Sequence, residues 1–342
     1  MQLQLMGTIA MRTTALPWNN DCTLRFMVLS SGITLVILLG LALFAGLLVS
    51  AADEGRPEPP GSFRINMFDR FSKKPQGPAY AVFDTSMTQD FREKWEAVDG
   101  AEPPRARVAI IIDDMGYGGK ATDAILSLSV PLTISVLPGL KKSIWTAREA
   151  HRRGFEVMLH MPMEAENSPV ALGPYGITVS LSRDEIRLKL IEALGWVPNA
   201  VGINNHMGSK ATKNERIMSE LMPLIKELRL FYVDSRTALH SIGMQTAQRC
   251  GVPTTQRNVF LDNVSSVDYI KGQLKLLITV ALKNGTAVGI GHTRHSTAQA
   301  IKEMIPLFRK ERIDIVPVSE LLTVSPGTDI NSAADIKTVY SE

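Results

Sequence analysis

The chain has 342 residues, 45% of them hydrophobic and 21% charged, which is ordinary for a globular protein. A formal net charge of +3 and the lack of any lysine- or arginine-rich run argue against nucleic acid as a partner. The only cysteines, Cys22 and Cys250, exclude a disulfide framework and a Cys/His zinc finger, so a metal site would have to use His, Asp or Glu.

Residues 1–25 form a short N-terminus with Arg12 and Arg25. Phe26 to Ser50 then runs for 25 residues without a charge. About 20 apolar residues span a bilayer as a helix, whereas the apolar core of a cleaved signal is about 7–15 residues long. Residues 26–50 are therefore expected to be an uncleaved single-pass anchor, with a cut near Val49-Ser50-Ala51 as the alternative. Arg12 and Arg25 precede the span, while Asp53, Glu54, Arg56 and Glu58 follow it. The positive charge predicts a cytoplasmic N-terminus and places the bulk of the chain outside, on the periplasmic side. Residues 51–104 hold seven prolines, from Pro57 to Pro104, and read as a spacer.

A folded domain is expected over 105–324. Val108–Ile112 reads as a strand ending in Asp113-Asp114, followed by a helix over 118–127. Leu132–Val136 is a strand, 143–153 a helix closed by Gly154, and Phe155–Leu159 a strand ending in His160. Ser182 and Glu185 make a capping box for a helix that stops at Gly195. Val201–Asn204 is a strand running into Asn205-His206. The helix over 215–229 shows Met218, Leu221, Met222, Ile225 and Leu228 on one face. Leu230–Val233 is a strand ending in Asp234-Ser235-Arg236. A helix over 267–283, a strand 287–290 ending in Gly291-His292, a helix over 297–310 and a strand 313–316 complete the series. The polar tail 325–342 is expected to pack loosely.

Strands alternating with helices predict a parallel α/β sheet. Some seven or eight such units without a glycine-rich dinucleotide fingerprint favour a closed or distorted β/α barrel over an open doubly wound sheet. Asp113, Asp114, His160, His206, Asp234 and His292 all fall at the C-terminal ends of strands, where the loops of such a barrel converge. Three protein ligands with one open position suit a catalytic zinc or similar divalent ion. One carboxylate of the Asp113-Asp114 pair with His160 and His206 meets that need, and the other carboxylate is then free to act as base. Asn204, Asn205 and Ser209 are expected to hold the His206 turn. Glu164 reads as a solvated loop acid, His151 as a surface residue, and Trp145 and Trp196 as core. His240 and His295 read as loop residues, with a place at the pocket rim, close to His292, as the lesser alternative for His295.

The ordered motifs IIDDMGYGG, TISVLPG, AHRRGFEVMLHMPME, GINNHMGS, YVDSRT and GIGHTR resemble the divergent polysaccharide deacetylases, over roughly 105–324. That group is distantly similar to carbohydrate esterases that remove N-acetyl groups from glycans. The resemblance implies a distorted β/α barrel of the glycoside hydrolase and deacetylase type, and metal-dependent attack on an amide or ester. It implies Asp113 as base, Asp114, His160 and His206 as ligands of a divalent ion, zinc first among them, and His292 as the acid for the leaving group. Asp234 and Arg236 are similar to the group that orients base or substrate. The ordinary deacetylases place two metal histidines about one helical turn apart; here Met161-Pro162-Met163-Glu164 follows His160, and His206 must come from another strand. The substrate implied is a cell-envelope glycan. A weakly catalytic or non-catalytic envelope module that binds glycan or a partner protein through the same pocket is the alternative.

Overall fold

The computed structural model describes residues 104–167 and 172–324. The expected N-terminus 1–25, the anchor 26–50, all but the last residue of the linker 51–104 and the tail 325–342 lie outside the described residues. Among the described residues no helix is long and apolar enough to cross a membrane.

Nine strands form one sheet: β1 (Ala106–Met115), β2 (Thr133–Val136), β3 (Glu156–Met163), β4 (Gly202–Met207), β5 (Phe231–Asp234), β6 (Thr254–Gln256), β7 (Val259–Phe260), β8 (Thr286–His292) and β9 (Ile313–Ile315). Their order is β6-β5-β4-β3-β2-β1-β8-β7, with β9 against the first residues of β1, and every pairing is parallel. Helices α1 (Lys120–Leu126), α2 (Ser143–Arg152), α3 (Arg183–Trp196), α4 (Glu215–Glu227), α5 (Gly243–Arg249), α6 (Val267–Asn284) and α7 (His295–Lys310) make most of the crossovers. Helix α3 carries the expected capping box: Ser182 accepts the Glu185 N–H and Glu185 accepts the Ser182 N–H.

The two edge strands, β6 and β7, do not pair with each other, yet only Arg257 and Asn258 separate them. Three Cα steps reach about 11 Å at most, so the sheet must curl until its edges nearly meet. The link shows this directly. The Arg257 N–H donates to the carbonyl of Asp234, the last residue of β5, and the Asn258 N–H donates to the Val288 carbonyl of β8. The sheet is a distorted, incomplete barrel with one open seam. Strands β6 and β7 and helix α5 are additions to the sequence reading, because three- and two-residue strands leave no periodic signal.

Alternation along each strand sorts the side chains into two cores. Val108, Ile110 and Ile112 of β1 join the outer core beneath the helices. Ala109, Ile111, Met158, Phe231, Val233, Val288 and Ile290 fill the barrel interior, closed at its base by Val318 and Leu321 of a short 3-10 turn. Gly202 is required here: a Cβ at that position would stand 2.2 Å from the Phe231 ring. The expectation that both tryptophans are core holds for Trp196, which is buried and donates its indole N–H to the Tyr175 hydroxyl. It fails for Trp145, which is 43% exposed on α2 under the Lys142 ammonium.

Candidate functional site

The inward stripe changes character at the top of the barrel. One alternation beyond Ile111, Met158, Val233 and Ile290 stand Asp113, His160, Ser235 and His292, and β4 adds Asn204 and His206. Asp114 should point outward by the same rule. Instead three residue steps of β1 are matched by two of β2 between Ile112 and Met115, and Asp114 takes a left-handed φ of 58°. That bulge puts both aspartates at the mouth. Met207, next to His206, and Arg236, in the β5 loop, also have left-handed φ values of 56° and 49°. Such backbone costs about 1 kcal/mol or more per residue and clusters at functional sites.

Asp114, His160 and His206 converge. Asp114 Oδ1 lies 3.0 Å from His206 Nδ1 and 3.2 Å from His160 Nε2, and the two ring nitrogens are 3.2 Å apart. These three atoms could share one metal ion. Asp114 Oδ1 is buried yet has no hydrogen-bond partner of good geometry. A buried acceptor without a donor is costly, and a cation answers it. Two imidazole nitrogens and one carboxylate oxygen are the donor set of catalytic zinc sites.

The electrostatics agree. Burial alone would raise the Asp114 carboxyl, but its contacts with His160 and His206 outweigh this and hold it well below the usual carboxylate range. Burial works against a charge on His160, yet Asp113 and Asp114 push its ring up to about 9. A divalent cation would take the place of that proton, so metal binding should release protons. Burial pushes the Asp113 carboxyl upward, against the pull of His160 and Asn204. Asp113 Oδ2 stands 3.7 Å from His160 Nε2.

His292 faces the centre from β8, its Nε2 4.0 Å from Asp114 Oδ2. Asp262, a residue the sequence reading missed, holds it from behind. Asp262 Oδ1 lies 2.8 Å from His292 Nδ1, while Oδ2 accepts the His292 N–H and the Thr297 hydroxyl. Burial opposes a charge on His292, but the Asp262 contact prevails and raises its pKa. Asp262 itself is lowered: burial acts upward and the His292 contact outweighs it. Phe260 packs edge-on to the His292 ring, and the Arg257 guanidinium lies over Phe260.

Other expected residues sit differently. The Asp234 carboxylate accepts the Arg236 N–H, the Ser241 hydroxyl and the Met244 N–H. Those partners all belong to the segment that follows Asp234, so its direct action is on that loop. Arg236 is exposed at the rim, and its carbonyl and that of Ser235 accept from Arg257. Asn205 does hold the His206 turn, through the Met207 carbonyl and Thr237. Ser209 instead accepts the Glu166 N–H, and Asn204 reaches His160 and Asp113. Glu164 is not a solvated acid: it pairs with Lys210 and accepts the Val179 N–H. His295 starts α7 and is exposed.

The divergent polysaccharide deacetylase family matches residues 110–322. The uncharacterised protein YibQ of Escherichia coli (strain K12) is 35% identical over 226 residues, 66% of this chain and 70% of that protein. An uncharacterised protein of Haemophilus influenzae is 32% identical over 198 residues, 58% of this chain and 70% of its own. The crystal structure of the uncharacterised protein ATU2773 of Agrobacterium tumefaciens C58 shares the fold, with a TM-score of 0.61 at 21% identity, covering 68% of this chain and 94% of that one.

Proposed function

We propose that this chain, which belongs to the divergent polysaccharide deacetylase family, is a metal-dependent hydrolase that removes an N- or O-acyl group from a cell-envelope polysaccharide. One observation carries the reading: the unsatisfied Asp114 Oδ1 meets two ring nitrogens at the barrel mouth. Asp114, His160 and His206 would hold the ion, zinc by its donor set. A bound divalent ion would polarise the acyl carbonyl and acidify water beside it.

The remaining chemistry belongs to side chains. Asp113 takes the proton of the attacking water, and Oδ2 is the oxygen that Asn204 leaves unbonded. His292 donates from Nε2 to the departing nitrogen or oxygen, because Nδ1 is engaged by Asp262. Its raised pKa keeps a proton available near neutral pH. Asp234 holds the loop that presents Arg236, which orients the substrate at the rim. Residues 26–50 anchor the chain, and the domain works on the periplasmic side.

The test uses the full-length protein. Metal is stripped with a chelator, zinc is restored, and acetate release from acetylated cell-wall oligosaccharides is followed. His206→Ala should lose both bound metal and acetate release. Activity that survives His206→Ala refutes the assignment. A wild-type protein that holds no metal yet binds glycan tightly would instead support the non-catalytic module.

A further inference from the structure

We infer that Asn204 is a positioning residue that couples the metal ligand His160 to the base Asp113 through a single side-chain amide. The inference rests on the ligand and base roles proposed above. Asn204 is fully buried on the inner face of β4, in register with His160 of β3. Its Oδ1 lies 2.8 Å from His160 Nδ1 and accepts the Ser135 hydroxyl at 2.5 Å. Its Nδ2 donates to Asp113 Oδ1 at 2.8 Å and to Ser235 Oγ at 3.1 Å. A primary amide has two acceptor sites and two donor hydrogens, and here all four are used.

The direction of the amide is not free. Turned over, it would set its carbonyl against the Asp113 carboxylate and its NH2 against His160. In the observed sense the carbonyl requires a hydrogen on His160 Nδ1. The lone pair of the neutral ring then sits on Nε2, the atom that faces Asp114 Oδ1 and His206 Nδ1. The same amide occupies Asp113 Oδ1 and leaves Oδ2 toward the site. One group therefore sets the tautomer of a ligand and the working oxygen of the base, and holds the spacing between them. Partners of this kind behind a metal-bound imidazole typically change metal affinity about 10–100-fold when removed.

Two variants of the full-length chain separate this from a bland buried polar contact. Asn204→Leu removes both halves of the amide. Asn204→Asp keeps an acceptor for His160 and Ser135 but loses the NH2 that holds Asp113. Zinc affinity, read by competition with a chromogenic chelator, should fall about 10–100-fold in Asn204→Leu and be retained in Asn204→Asp. In Asn204→Asp, kcat for acetate release should fall about 100-fold or more at unchanged KM, the scale of lost general base catalysis. In the metal-free wild type, at a pH above about 9 where the His160 ring is neutral, nitrogen NMR should find its one hydrogen on Nδ1, a preference that Asn204→Leu loses. Wild-type zinc affinity in a folded Asn204→Leu, wild-type kcat in Asn204→Asp, or a neutral wild-type His160 ring whose hydrogen sits on Nε2 would each overturn the inference. If circular dichroism shows that Asn204→Leu does not fold, Asn204→Asp and the wild-type ring spectrum decide. Should the wild type release no acetate, the hydrolase reading fails, while zinc titration and the ring spectrum still judge Asn204.

Discussion

Glu156 offers a stability test that does not involve the active site. It opens β3 on the inner face and lies fully buried near the base of the barrel. Its Oε1 accepts the Thr133 hydroxyl and the Ser319 N–H, which tie it to the closing 3-10 turn, while Oε2 has no partner. Burial is the main cause that raises its pKa from 4.5 to about 7, against the pull of the Ser319 and Thr133 hydrogen bonds. A carboxyl raised in this way binds its proton more tightly in the folded chain than in the unfolded one. Its contribution to stability is therefore complete below pH 4.5 and is lost as pH rises to about 7. At about 1.4 kcal/mol per pKa unit, the loss is about 3 kcal/mol. Glu156→Gln keeps the shape and the acceptor but cannot ionise. Any cost of its NH2 is the same at every pH. The difference between variant and wild type should grow by about 3 kcal/mol from pH 4.5 to pH 8, in favour of the variant, or about 1 M in urea midpoint. Urea unfolding followed by tryptophan fluorescence across that range gives the measurement. Parallel pH profiles for the two proteins would show that Glu156 is solvated or ionised in the fold and would refute the reasoning.

Asp262→Asn should lower kcat about 100-fold, since it removes the carboxylate that orients His292 and favours its protonated form. Activity that needs His292 protonated falls as pH rises through its pKa, so the alkaline limb of the rate profile should move to lower pH in Asp262→Asn; an unmoved limb excludes His292 as the acid. Gly202→Ala should destabilise by about 1–3 kcal/mol, because its methyl would meet the Phe231 ring at 2.2 Å. Thermal unfolding reads that loss, and an unchanged midpoint would mean that the barrel interior yields more readily than its packing implies.

The strand-end pattern in the sequence is enough to bring Asp113, Asp114, His160, His206 and His292 to one barrel mouth, because the physical rule behind it is simple. A strand buried on both faces needs apolar residues at every position, so a histidine or aspartate closing an apolar run marks the place where packing stops and the mouth begins. What the pattern lacks is direction. Period two sends Asp114 away from Asp113, and only the bulge with its left-handed backbone returns it. A bulge is a mismatch between two strands, so no single strand carries its signature. Asp262 was hidden for a related reason. It follows Val259–Phe260, a strand of two residues that exists only because β8 is there to pair with it. Arg257 is likewise placed by the seam: its backbone follows β5 on one side, and Asn258 joins β8 on the other.

Asn204 shows the same limit from inside β4, a strand expected over Val201–Asn204 that runs on to Met207. Two residues before His206, it looks like a residue of the His206 turn, and the amide that does that work is its neighbour Asn205. Alternation separates the two. Asn205 reaches Tyr232, Thr237 and the turn, whereas Asn204 shares the inner face with His160 and Asp113, 44 and 91 residues away. Sequence can name a polar residue at a strand end. Which partner it serves is set by the strands beside it, and here β3, one of the two neighbours of β4, sets His160 opposite Asn204, so the asparagine attends to that ring instead of the histidine two places along its own chain.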